Sequence, residues 1–180
     1  MKTCPLFGKC GGCKFDFTAD EYRAAKQALL KDLPITNNPI GIAPGNRRRA
    51  DFAFLDGQFG FYERGSKNIV PVTECMGLSP ELMAALPGIA SIPWMGSGSS
   101  LVTAAENGID ISVTSTVPYY STEFKKAADA NPAIRVSWNG KVIKETAAPI
   151  IMFGDVSVEY PPNAFLQPSV TGEAALRSLV

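Results

Sequence analysis

The chain has 180 residues, is 46% hydrophobic and balances 17 basic against 17 acidic side chains, with no histidine at all. Such a chain can bury a sizeable core as one large or two small units, while the missing histidine excludes His-based acid–base and triad mechanisms together with Cys3His and Cys2His2 zinc sites. The longest apolar run, 149–153, is far too short to span a bilayer, and no signal or transit pattern precedes Cys4, so a reducing cytoplasm is the expected compartment.

The first element is a cysteine loop. Cys4, Cys10 and Cys13 fall within ten residues, and the only other cysteine is Cys75. Three close thiolates on one loop and a fourth from elsewhere is the way a chain surrounds a cubane iron–sulfur cluster. Gly8, Gly11 and Gly12 suit such a loop, because glycine permits the positive-φ turns that would let consecutive thiolates converge and leaves backbone N–H groups free to bond sulfur. A Cys4 zinc site draws its ligands as two short pairs, which this spacing fits poorly. Disulfides, a redox pair and unligated core thiols are the alternatives.

After the loop, Thr18-Ala-Asp-Glu21 reads as a capping box, and Tyr22, Ala25, Leu29 and Leu33 recur at helical spacing up to Pro34. Residues 47–62 alternate as a hairpin turning at Asp56-Gly57, with Phe59, Phe61 and Tyr62 expected to pack in the core or to stack bases. A turn at Arg64-Gly65-Ser66 leads into a strand at 69–72, which would deliver Cys75 at its end as the one anchor of the N-terminal loop. Arg47, Arg48 and Arg49 read as a solvated start of a strand or as phosphate contacts. Residues 1–75 hold 11 basic and 8 acidic groups, against 6 and 9 in 76–180, a mild bias that would suit a nucleic-acid surface on the first half.

Ser79-Pro80 opens a short helix. Gly96-Ser-Gly-Ser-Ser100 reads as a flexible stretch and a boundary. Strands follow around Asn107-Gly108, then a helix from Ser121 to Ala130, with Lys125 and Lys126 on its solvated face. Hairpins are expected at Asn139-Gly140, where Trp138 would pack across strands, and at Gly154-Asp155. Asp110, Glu145 and Glu159 have no partner in the sequence pattern. A last helix begins near Gly172 with neither a glycine cap nor a basic last turn, as if the chain were cut within it. The class is α+β, an antiparallel sheet with a few helices.

Taken together, Cys4-Pro-x-Phe-Gly-x-Cys10-Gly-Gly-Cys13, Arg47-Arg-Arg-Ala50, Gly60-Phe61 with Ile69-Val70, Cys75, Pro161-Pro-Asn-Ala-Phe165-Leu-Gln167 and Gly172-Glu173-Ala-Ala-Leu176 resemble the iron–sulfur RNA (uracil-5-)-methyltransferases, nearest to those acting on 23S ribosomal RNA. The resemblance implies a central antiparallel domain with an iron–sulfur loop, leading into the start of a Rossmann-like domain for S-adenosylmethionine. Its parts would be 1–78 (cluster-binding), 79–160 (remainder of the central domain) and 161–180 (opening of the cofactor domain). It also implies that Cys4, Cys10, Cys13 and Cys75 hold a 4Fe–4S cluster and that Gln167 contacts S-adenosylmethionine. The expected partner is 23S rRNA or another structured RNA, with no membrane and no obligate protein partner.

The family's nucleophilic cysteine and glycine-rich cofactor loop have no counterpart here, so no catalytic residue is assigned and the chain alone is expected to be inactive. Ser169 stands where the family's commoner form has Asn, which leaves that position without a functional assignment. The rival readings are a 4Fe–4S electron carrier, which the residues after Cys75 do not fit, and a zinc-stabilised RNA-binding module.

Overall fold

Alternation along residues 49–55 sets the architecture, because every second side chain of a strand faces the same side. In the computed structural model, which describes residues 4–14, 19–34 and 39–179, Phe52 and Phe54 are almost fully buried and Asp51 is exposed. This strand, β1 (Arg49–Leu55), turns through Asp56 and Gly57 into β2 (Gln58–Tyr62). Both turn residues have positive φ, 44° and 85°, as a two-residue hairpin loop of this kind requires. A two-residue strand, β3 (Ile69–Val70), lies beyond β2.

On its other side β1 pairs with β4 (Ser97–Ala105), which turns back as β5 (Gly108–Ser115). Then come β6 (Arg135–Trp138) and β7 (Lys141–Glu145), giving seven strands in the order β3-β2-β1-β4-β5-β6-β7. Only β5 and β6 run parallel, and the crossover that parallel pairing demands contains the helix α3 (Thr122–Ala130). The expected α+β class, mostly antiparallel, is what forms. A separate hairpin, β8 (Ile150–Phe153) with β9 (Val156–Glu159), follows β7.

One face of the sheet is covered by α3 and by α2 (Pro80–Ala90). Ser79 and Ser121 cap these helices, each hydroxyl accepting from the backbone N–H three residues on. Between helices and sheet, Trp94 stacks on Phe54 and Phe59 at 4.9 and 4.8 Å, and Phe52 stacks on Phe61 at 4.7 Å. Phe59 is thus core, whereas Tyr62 is 45% exposed. Trp138 packs edge-on against Phe124 of α3 and shares the core with Val113, its register partner on β5. A helix covers it because the crossover lies over that face.

Several expectations are corrected. The helix α1 runs over Ala19–Ala28, so Leu29 and Leu33 lie past its end and are exposed; Thr18 lies outside the described residues. The final helix, α4 (Val170–Arg177), begins before Gly172 and does carry a basic last turn, Arg177. Gly96–Ser100 is no linker: four of its five residues start β4, hydrogen-bonded on both sides, and Ser100 is fully buried. Small residues stand there because the sheet is crossed closely. A Cβ on Gly98 would lie 2.1 Å from the Thr114 carbonyl oxygen and 2.6 Å from the Phe54 ring. Among the described residues, no helix is long and apolar enough to cross a membrane.

Gly98→Ala should therefore destabilise the fold by about 1–3 kcal/mol through overpacking. A urea-unfolding midpoint unchanged from that of the unmodified chain would contradict this reading.

Candidate functional site

Residues 5–9 form consecutive turns, in which Cys10 N–H donates to the Leu6 carbonyl at 2.8 Å. The loop is fastened to the end of β2 by Gly11 N–H on the Tyr62 carbonyl and Arg64 N–H on the Lys9 carbonyl, both 2.8 Å. The Arg64 guanidinium adds a bond to the Cys13 carbonyl at 2.5 Å and sits over the Phe7 ring. Of the loop glycines only Gly8 has positive φ. Gly11 is needed for close approach, since a Cβ there would meet the Tyr62 carbonyl oxygen at 2.8 Å.

Cys75 comes from the loop after β3, five residues past Val70 and not at the strand's end. It is also not the loop's one anchor, because the 62–64 backbone and Arg64 hold it independently. Sequence reading missed Arg64 because a turn residue carries no periodic signal.

All four cysteines are free and half-buried, and they line one pocket together with Arg47, Phe61 and Leu78. Gly12 N–H points at Cys10 Sγ at 3.3 Å, and the N–H groups of Gly77 and Leu78 bond the Cys75 sulfur. Burial pushes the Cys13 thiol above its ordinary pKa; Cys75 adds to this, and the Arg47 charge opposes it. Burial likewise raises the Cys75 thiol, against the lowering effect of its two N–H bonds. Among the described residues, no three His, Cys, Asp or Glu side chains form a group that could hold a metal ion. The sulfurs thus share a pocket without closing on a single centre.

A second cluster sits at the start of β1. Arg48 is 5% exposed, so it is neither solvated nor open to phosphate. Its Nη2 pairs with Glu173 of α4 at 2.5 Å and its Nε donates to the Gln167 carbonyl at 3.3 Å. Arg49 lies over the Tyr160 ring and reaches the Leu166 carbonyl. Gln167 is half-buried, between buried Leu166 and the Ser169 hydroxyl that caps α4 by accepting from Gly172 N–H at 3.1 Å. Arg47 joins the two clusters: its N–H donates to the Gly77 carbonyl, its carbonyl accepts from Ser79 N–H, and it bridges to Ser169.

Asp110 and Glu145, isolated in the sequence pattern, both meet Arg135 in the fold. Arg135 binds Asp110 at 2.8 Å across the parallel pair and approaches Glu145 at 3.8 Å. Partners brought together by a crossover leave no local trace in the sequence. Lys125 pairs with Asp129 one turn on.

No family model matches the chain. A protein named an uncharacterized RNA methyltransferase in Brucella suis is 30% identical over 98% of this chain and 48% of its own length. Another of that name in Agrobacterium fabrum is 31% identical over 96% of this chain and 47% of its own. The 23S rRNA (uracil(1939)-C(5))-methyltransferase RlmD of Salmonella paratyphi A is 40% identical over 48% of this chain and 22% of its own. Among solved structures, the tRNA (uracil-54, C5)-methyltransferase of Pyrococcus abyssi, in complex with S-adenosyl-L-homocysteine, has a TM-score of 0.58 at 14% identity, over 75% of this chain and 40% of that one. This last likeness is one of fold. The resemblance to RNA methyltransferases therefore holds: the chain is a relative of theirs and spans about half the length of the relatives it matches.

Gly11→Ala should loosen the cysteine loop from β2 and speed labelling of Cys10 and Cys13 by a thiol reagent, about tenfold if one backbone bond and its packing are lost. Gly41→Ala, where a Cβ meets nothing within 4 Å, serves as the control. Equal labelling rates in the two variants would refute the close-approach role of Gly11.

Proposed function

We propose that the chain is a portion of an S-adenosylmethionine-dependent RNA (uracil-C5)-methyltransferase whose thiol pocket holds a structural 4Fe–4S cluster. The observation that carries this reading is the pocket itself. Four cysteines from two distant segments line it, three backbone N–H groups are aimed at two of their sulfurs, and the surrounding sequence resembles RNA methyltransferases throughout its length.

Three thiols from one short loop and a fourth from a distant segment are the donor set a 4Fe–4S cluster uses, whereas a zinc site draws its thiols as two short pairs. A cubane gives each thiolate its own iron and tolerates wider spacing. N–H bonds to sulfur stabilise the thiolate form, and positive charge from bound iron would offset the burial that, with the neighbouring thiols, raises Cys13 and Cys75.

Residues 1–78 carry the cluster site in this reading, 79–160 complete the central domain, and 161–180 open the cofactor-binding part, with Gln167 offering its amide as donor and acceptor to S-adenosylmethionine. The partner is 23S rRNA or another structured RNA, in the cytoplasm. When bound, S-adenosylmethionine supplies an electrophilic methyl group. Covalent activation of uracil needs a free cysteine thiol, and all four cysteines of these 180 residues lie in the pocket. The chain by itself therefore transfers no methyl group.

Protein purified without oxygen should be brown and contain about four irons and four sulfides per chain. Stoichiometric zinc without acid-labile sulfide would replace this reading with a zinc-stabilised RNA-binding module. Incubated with radiolabelled S-adenosylmethionine and unmodified 23S rRNA, the chain should incorporate no label above a no-protein control; label at uridine C5 would reveal another nucleophile.

A further inference from the structure

Two ion pairs are buried among the described residues. Asp110–Arg135 joins directly paired residues of neighbouring strands and is accounted for by the sheet. Arg48–Glu173 instead joins the start of β1 to α4, 125 residues later. We propose that Arg48 is the positioning residue of the segment that presents Gln167 to the cofactor, an inference that rests on the cofactor-binding reading of Gln167.

Residues 161–168 contain no helix or strand, so no regular ladder supplies donors to their carbonyls. Three consecutive carbonyls find them on two adjacent residues. Leu166 accepts from the Arg49 side chain at 3.5 Å, Gln167 from Arg48 Nε at 3.3 Å, and Pro168 from the Arg48 backbone N–H at 2.7 Å. The peptide planes on both sides of Gln167 are thereby fixed, and with them the direction in which its side chain leaves the backbone.

The same guanidinium pairs with Glu173, so the loop and the first turn of α4 are referred to one rigid strand. Arg48 is itself held, because its carbonyl accepts from Ala104 N–H of β4 at 2.7 Å. The planar fork holds both acceptors in fixed directions, whereas a lysine ammonium, a point charge on a flexible stem, would follow Glu173 and hold Gln167 less firmly. The arrangement is not optimal for stability alone, since Arg48 Nη1 is buried with no partner.

The test is ¹⁵N relaxation on the 180-residue chain and on Arg48→Lys, Arg48→Met and Glu173→Gln, with and without millimolar S-adenosylhomocysteine. In the unmodified chain the Gln167 backbone should be as rigid as β4, with an order parameter near 0.85, and the cofactor product should shift the Gln167 side-chain amide signal. Arg48→Lys should lower the order parameter at Gln167 below about 0.6 while α4 and β4 stay rigid, and should abolish the shift. Glu173→Gln should free α4 more than Gln167.

Should Arg48→Met fail to fold, the other two variants decide. Unchanged order at Gln167 in Arg48→Lys would overturn the proposal, and so would equal loss across β1, β4 and the segment, which marks a merely structural role. Local loss of order with no shift in the unmodified chain would uphold the positioning role and show that Gln167 takes up no cofactor product within these 180 residues.

Discussion

A guanidinium taken out of water must be neutralised where it lies, and the placement of Arg48 imposes this on the second half of the chain. Its side-chain acceptors come from Gln167 and Glu173, so those residues have to return to the start of β1 for the charge to be buried at all. Breaking one side of such a pair costs about 3–5 kcal/mol, because the other charge is left unpaired in a poorly hydrated place. The backbone of the residue before it faces the opposite way, towards Gly77 and Ser79, and fixes the loop that bears Cys75. One dipeptide thus brings the thiol pocket and the Gln167 segment to the same end of the central strand.

The thiol pocket obeys a second electrostatic constraint. Burial raises the thiols of Cys13 and Cys75, and the neighbouring cysteines add to that rise. Arg47 relieves it only in part. The proposed centre, by bringing positive charge to the sulfurs, would offset it further and couple folding of the loop to its own binding. The loop is not left to that centre alone, however. Gly11, Lys9 and Cys13 are already bonded to residues 62–64, so the pocket is preshaped by β2, and the centre would tighten an existing arrangement.

What the sequence discloses follows the range of the interactions involved. Elements set by neighbours are legible: the Asp56-Gly57 and Asn139-Gly140 turns, the caps at Ser79 and Ser121, and the alternating faces around Phe52 and Phe54 all form where local chemistry puts them. The cysteine cluster is legible because its spacing survives in the linear text. Interactions between distant residues are not. Asp110 with Arg135, Arg48 with Glu173, and Arg64 with the Cys13 carbonyl each depend on a topology that no periodicity announces. The Gly96–Ser100 stretch misleads for a related reason. Glycine and serine mark flexibility in a linker but close packing in a strand, and only the neighbours Thr114 and Phe54 distinguish the two.

Ser169 shows how such a neighbour changes the meaning of a departure from a family pattern. The resemblance expects Asn at this position, and its replacement leaves the role of the position open from sequence alone. In the structure Ser169 is the N-cap of α4, accepting from Gly172 N–H through its hydroxyl. Asn and Ser are nearly equivalent in that role, since each puts an oxygen within reach of the same unpaired donor. The substitution therefore preserves the start of α4, and with it the distance from the cap to Glu173 and to the ion pair that holds Arg48. Because Arg48 in turn holds the Gln167 carbonyl, the exchange of Asn for Ser two residues away leaves the placement of Gln167 intact. The pattern's glutamine and its following polar residue are thus separable: the backbone carbonyl of one is held by Arg48, and the hydroxyl of the other caps the helix that follows.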